Sequence, residues 1–141
     1  MKFLLDTCVI SEFVKPRPNA GLVAWLEDND EEQMAISVAS IAEIQSGISR
    51  MPETARRAGL EGWMHQSLIP RFEPRILAID LPCALAWGDS TDRAKQIGQP
   101  IPQIDTLLAA VCCIHKLALV TRHTKDFVNL DVEVINPWEG S

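Results

Sequence analysis

The stretch QIDTLLAAVCCIHKLALVTRHTKDF, residues 103–127, carries the reading on which the fold turns. Gln103 to His115 is predicted as a helix, and beyond Asp105 it is nearly all apolar. A helix that is hydrophobic all round is a buried helix. Leu117 to Thr121 follows as a short apolar run, predicted as a strand, and the chain then turns polar from Arg122 to Phe127. The same alternation extends towards both ends. Lys2 to Leu5 reads as a short buried strand that stops at Asp6. Asn19 to Asn29 reads as a helix, with Leu22, Val23, Trp25 and Leu26 as its apolar side, and Met34 to Val38 as a strand. Ser40 opens the next helix with Glu43 three places on, the spacing of a capping box, and Ile41, Ile44 and Ile48 share one of its faces. A helix starting at Pro52 ends near Pro70, and Arg75 to Ile79 forms a third strand. Leu81 to Gly98 is a helix with Pro82 in its first turn and Gly98 as its stop, followed by the loop Gln99 to Pro102. Val132 to Ile135 closes the series as a fifth strand.

Alternating strands and helices imply an α/β, three-layer sandwich around a mainly parallel five-stranded sheet. Ligands of such folds bind beyond the carboxyl ends of the strands, where the strand order reverses. The 141 residues, 47% hydrophobic and 23% charged, fit a single domain over residues 1–141. No apolar run reaches the roughly 18 residues of a membrane span. Asp6 interrupts the apolar N-terminus, so no secretory signal is expected. Cys8, Cys83, Cys112 and Cys113 include no C-x-x-C pair and no zinc spacing. Cys112 and Cys113, inside an apolar run, are expected to be small buried hydrophobes, and a reducing cytoplasm is the natural compartment. The net charge of −6 argues against a dedicated nucleic-acid binder, unless carboxylates gathered around a divalent cation account for part of it.

Four acids stand where chemistry is expected. Asp6 follows the first strand directly, and its plainer role is to cap the next turn. Glu43 fits the capping box, yet its neighbours Ile41, Ala42 and Ile44 place it beside a mostly buried surface where a carboxylate needs a partner. Asp105 sits at the head of the buried helix, where the helix dipole alone would favour an acid. Asp126 lies in the loop leaving the fourth strand and would otherwise be an ordinary surface acid. Each can reach the same end of the sheet. Carboxylates sharing a pocket repel one another, and a divalent cation removes that penalty. Magnesium prefers oxygen ligands and needs only one or two protein carboxylates, and such a site activates water for phosphoryl transfer.

With these residues in place, the chain resembles the PIN-domain ribonucleases, in particular the VapC-type toxins of type II toxin–antitoxin modules. The resemblance rests on LLDTCVISE (4–12), SVASIAEIQSGI (37–48), IPQIDTLLAAVC (101–112), LVTRHTKDF (119–127) and VINPW (134–138), in order and over the whole length. It implies a strand order of 3-2-1-4-5 and a Mg2+-dependent endoribonuclease, with Mn2+ an alternative, acting on a structured RNA such as tRNA. It implies catalytic roles for Asp6, Glu43, Asp105 and Asp126. Asp6 and Asp105 are the implied metal ligands, with Glu43 helping to position metal or water. Many relatives carry Asp or Asn directly after the Thr-Arg pair, whereas this chain has His123. His123 is a fourth-position or phosphate contact, or more plainly a loop histidine touching no metal. Thr7 is a weaker contact near the metal, and for Ser11 turn hydrogen bonding is at least as good a reading.

Lys15 and Arg17, after the first turn, and Arg122 and Lys125, beside Asp126, are expected to hold RNA phosphates; the alternative is surface ion pairing. The resemblance further implies a cognate antitoxin, whose docking grooves would use Trp25 and Trp63 unless these are core, and a homodimer. Two other classes remain. An Asp-nucleophile phosphatase or receiver domain would need a second acid near Asp6 or an acidic pair before the phosphorylated Asp, and both are absent. A catalytically inactive PIN-fold RNA- or protein-binding module would be favoured by loss of Asp6, Glu43 or Asp105, all of which are present.

Overall fold

Residues 1–98 and 101–139 are described by the structure, a computed structural model. Gln99 and Pro100 of the expected loop lie outside the described residues. Five strands form one sheet: β1 (Phe3–Leu5), β2 (Met34–Ser37), β3 (Ile76–Leu77), β4 (Ala118–Val120) and β5 (Val134–Ile135). Their order is β3-β2-β1-β4-β5, and every pair is parallel. Phe3 lies opposite Met34 on one side and Ala118 on the other, so β1 is central and the order reverses between β1 and β4.

Helices cover both faces because side chains alternate across each strand. Leu4, Ala35 and Leu119 point into a core shared with α6 (Leu81–Ile97) and α7 (Gln103–His115), through Cys83, Leu108, Val111 and Cys112. Leu5, Met34, Ile36 and Val120 point to the opposite core. That second core is filled from α1 (Thr7–Glu12), α2 (Ala20–Asp28), α3 (Val38–Ser49), α4 (Ala55–Trp63) and α5 (Ile69–Phe72). Each aliphatic side chain fully removed from water contributes about 1.5–3 kcal/mol, so the two layers on the sheet supply the main driving force.

α7 spans the predicted Gln103–His115, and its buried side includes Leu108, Ala109, Ala110 and Val111. Its far end is less enclosed than the apolar run implied: Cys113, His115 and Ile114 are exposed, so only the first of the adjacent cysteines is core. Lys116 ends α7 with φ 57, and this left-handed residue lets Leu117 donate to the Cys112 carbonyl at 2.9 Å and lead straight into β4. Gly98 stops α6 in the same way, at φ 76, where a side chain would be strained.

Four expectations need correction. The helix after β2 begins at Val38, not Ser40, because Ser37 caps it by accepting the Ala39 N–H at 3.0 Å. Ser40 lies inside α3, and its buried hydroxyl has no partner among the described residues. The next helix starts at Ala55 on a Thr54 cap rather than at Pro52. It also runs past Pro70, because the wider turn Met64–Leu68, with Ile69 donating to Met64, opens the backbone where proline would otherwise clash. The edge strands β3 and β5 keep only two residues each of the longer predicted runs, since each has a neighbour on one side only. Finally, α1 was unforeseen: Thr7 to Glu12 is helical directly after Asp6.

Candidate active site

Asp6 leaves the carboxyl end of β1 with its backbone N–H bonded to the Val120 carbonyl of β4 at 3.0 Å. It sits where the strand order reverses and is buried. One oxygen, Oδ1, accepts the Thr7 N–H at 2.7 Å and so caps α1. The other, Oδ2, accepts the Thr121 hydroxyl at 2.7 Å. The Cys8 thiol also points at Oδ2, at 3.7 Å, and lies 3.6 Å from the Thr121 hydroxyl. Burial, then the Asp6 charge, pushes the Cys8 thiol up to about 11, so it stays protonated and serves as a weak donor. Capping and a place in the crevice, alternatives in the sequence, are both true of Asp6.

Thr121 is fully buried at the end of β4. While its hydroxyl donates to Asp6, it accepts the His123 N–H at 3.0 Å. One side chain thus ties the central carboxylate to the following loop. That loop closes as a 3-10 turn, Thr124–Phe127, with Phe127 buried as its anchor.

Asp105 stands in the first turn of α7 and is buried. Burial, a hydrogen bond with Asp126 and the charges of Asp6, Asp126 and Glu43 push its pKa up to about 8. Burial first, and the three neighbouring acids after it, therefore favour a retained proton on Asp105. Glu43 departs from expectation, for it is exposed rather than set in a buried surface. With α3 starting at Val38, Glu43 falls in the second turn, while Ile41, Ile44 and Ile48 occupy the core face.

Asp6, Thr7, Ser11, Glu43, Asp105, His123 and Asp126 line one crevice of about 380 Å3, together with Cys8, Pro102 and Ile104. Size does not single it out. A groove of about 440 Å3 beside Thr91, Lys95 and Gln103 holds no carboxylate, and one of about 400 Å3 beside Trp25 and Pro137 holds only Asp28. The basic residues do not line the crevice. Lys15 pairs with Glu12, and the Arg122 guanidinium lies over the Trp138 ring, 5.9 Å from its centre. Trp25 packs edge-on against Phe3 and Trp63 packs against the same core, so both contribute to the interior.

Hard oxygen donors in one acidic crevice suit a divalent cation such as magnesium, and Asp105's raised pKa, due first to burial and then to its acidic neighbours, marks a charge that such an ion would stabilise. No three His, Cys, Asp or Glu side chains among the described residues stand close enough to form a closed metal cage. Thr7's buried hydroxyl, without a partner among the described residues, adds a free oxygen at the crevice. Cys8 and Thr121 are the contacts that the order of residues did not reveal as part of the site.

A family model described as "PIN domain" matches residues 3–133. A relative named toxin FitB, from Neisseria gonorrhoeae, is 37% identical over 96% of this chain and 97% of its own. A relative named VapC ribonuclease Y4jK, from Sinorhizobium fredii, is 32% identical over 96% of this chain and 97% of its own. The crystal structure of FitAcB from Neisseria gonorrhoeae superposes with a TM-score of 0.88 at 37% identity, covering 96% of this chain and 98% of that one.

Proposed function

We propose, from the premise that this chain belongs to the PIN-domain family, that it is a metal-dependent endoribonuclease and the toxin of a toxin–antitoxin pair. The observation that carries the chemistry is the gathering of Asp6, Glu43, Asp105 and Asp126 around one crevice at the reversal in strand order. Relatives named as a toxin and as a ribonuclease, aligned over nearly the full length, support the same reading. The reading takes residues 1–141 as one catalytic domain, with a cognate antitoxin that silences it, a homodimeric assembly and a cytoplasmic site of action.

Asp6 and Asp105 are the proposed metal ligands, with Glu43 at the rim to orient the metal or a water. When bound, Mg2+ or Mn2+ neutralises these charges, lowers the pKa of a water and stabilises charge on the phosphoryl group. Thr121 and the Thr7 N–H hold both Asp6 oxygens in place. Asp126 shares a hydrogen bond with Asp105 and orients it from the loop side. His123 is exposed and lines the crevice, which supports its reading as a phosphate contact. Structured RNA such as tRNA is the proposed substrate, hydrolysed without a covalent intermediate.

The test incubates the purified chain and Asp6→Asn, free of antitoxin, with total bacterial RNA in Mg2+, Mn2+ or EDTA. Discrete new ends that need both the metal and Asp6 are expected, and mapping them identifies the RNA. A folded, metal-loaded chain that leaves RNA intact would instead be an inert binding module.

A further inference from the structure

Arginines lie over aromatic rings at two places, and their charges have different fates. Arg71 lies over Phe13 and Phe72, at 4.7 and 5.5 Å, and Arg75 over Phe72 at 5.1 Å. Both arginines pair with Glu31, so their charges are spent within the fold. Arg122 over Trp138 is exposed and joins no ion pair among the described residues. Glu12 feels the Arg122 charge, but Glu12 is buried, pairs with Lys15 and accepts the Asn19 N–H at 2.9 Å.

Position gives this unspent charge a use. Arg122 stands in the chain between Thr121, which holds Asp6, and His123, which lines the acidic crevice. From there the side chain reaches out to Trp138. The indole is only partly covered, and its remaining surface packs on the core that holds α2. Its backbone is fixed as well. Trp138 donates its N–H to Asn136 Oδ1 at 3.0 Å, and the Pro137 carbonyl sits so close to Gly21 that a Cβ there would meet it at 2.4 Å. A rigid, half-open ring beside an unpaired guanidinium, one side chain away from a phosphodiester-cleaving crevice, has the makings of a nucleobase platform. Stacking on aromatic rings and guanidinium planes suits an unpaired base, and the positive charge suits the adjoining phosphate.

We infer that Arg122 and Trp138 bind an unpaired RNA base flanking the scissile bond, with Arg122 also facing its phosphate. This rests on the ribonuclease reading above. On an acidic protein it supplies a local attraction that the net charge of −6 lacks.

The test uses the Asp6→Asn chain in Mg2+ with a short unstructured RNA oligonucleotide, followed by fluorescence anisotropy and indole emission. Arg122→Gln and Trp138→Leu, each added to that background, are expected to weaken binding roughly tenfold. RNA is expected to quench indole emission, and Trp138→Phe is expected to keep most of the affinity while losing the quench. Arg122→Gln touches no core packing, so the question stays answerable if Trp138→Leu fails to fold. Unchanged RNA affinity in folded Arg122→Gln would overturn the platform. So would an effect of Arg122→Gln that is equal on an abasic strand, which marks a phosphate contact alone. Variants that keep RNA affinity but lose the cognate antitoxin would make this a protein-docking surface instead. Unmodified chain that cleaves RNA while these variants bind normally overturns only the platform; a chain that neither binds nor cleaves RNA overturns the ribonuclease reading as well.

Discussion

Thr121 shows how much of the crevice hangs on one hydroxyl. It donates to Asp6 Oδ2 and accepts the His123 N–H, so valine, with nearly the same shape, would strip a donor from the buried carboxylate and leave the His123 amide without its acceptor. Thr121→Val is expected to lower RNA cleavage by roughly tenfold or more, from about 1–3 kcal/mol of lost interaction. Thr121→Ser should restore most of it, and the Mg2+ concentration at half activity should rise in the valine variant alone. Steady-state cleavage with circular dichroism as a control for folding decides this; unchanged Mg2+ dependence in a folded valine variant would make the contact incidental. Asp6 and Asp105 stood out because a carboxylate after an apolar strand, or at the head of an apolar helix, announces a cost that something must offset; Glu43, which is exposed, and Asp126, in a polar loop, carry no such signal singly. Thr121 and Cys8 were not legible. Their roles exist only through contacts spanning 115 and 113 positions of chain, and no local pattern encodes those.

The start of α3 shows at the level of an element why a local motif can mislead. Ser40 and Glu43 have capping-box spacing, but Ser37 already ends β2 with an extended backbone and a hydroxyl within reach of the Ala39 N–H. The strand-to-helix turn needs no further residue, and Ser40 is carried into the helix with an unpartnered hydroxyl. Ser37→Ala is therefore expected to destabilise the fold by about 1 kcal/mol, the usual cost of losing a cap. Ser40→Ala, which removes a buried polar atom without a protein partner, should leave stability unchanged or slightly raised. Urea unfolding of the two variants checks the order, and a larger loss for Ser40→Ala would show a water or other partner on that hydroxyl. Pro70 misled in the opposite direction. It read as a terminus, yet the widened turn at Met64–Leu68 carries the helix through it. By contrast α7 was legible to the residue, because its apolar run is long and Pro102 and Lys116 bound it.

Electrostatic strain is a property of the whole molecule. In the folded chain Asp105 keeps its proton to about 8, against 3.8 for an ordinary aspartic acid. Between those values the folded state binds a proton that the unfolded state has released, so this group's contribution to stability falls as pH rises through the window. In EDTA, the midpoint of thermal unfolding should decline from pH 5 to pH 8 more steeply than in Asp105→Asn. Added Mg2+ should raise the midpoint most at the alkaline end, where more negative charge awaits it. A Mg2+ effect equal at both ends, or equal in Asp105→Asn, would place the ion elsewhere. The layered α/β architecture was legible in alternating apolar segments, because strands and helices bury different periodicities. Strand order was not legible in that way. Alternation permits several orders, and the observed one was anticipated only through resemblance. The short edge strands were overestimated because apolar residues near Arg75 and Val132 pack against the core without joining the ladder.

The bond between Asp6 and Thr121 also has a consequence in time. Synthesis proceeds from the N-terminus, so Asp6 is made before its hydroxyl partner, which comes 115 positions later. β4, which flanks β1 at the centre of the sheet, arrives with that same late segment. Until then the growing chain has its first carboxylate but neither the strand beside it nor the hydroxyl that fixes it. A ribosome making this protein therefore carries an unassembled crevice throughout that interval, and a chain that stops short of Thr121 has the carboxylate without the hydroxyl that holds it.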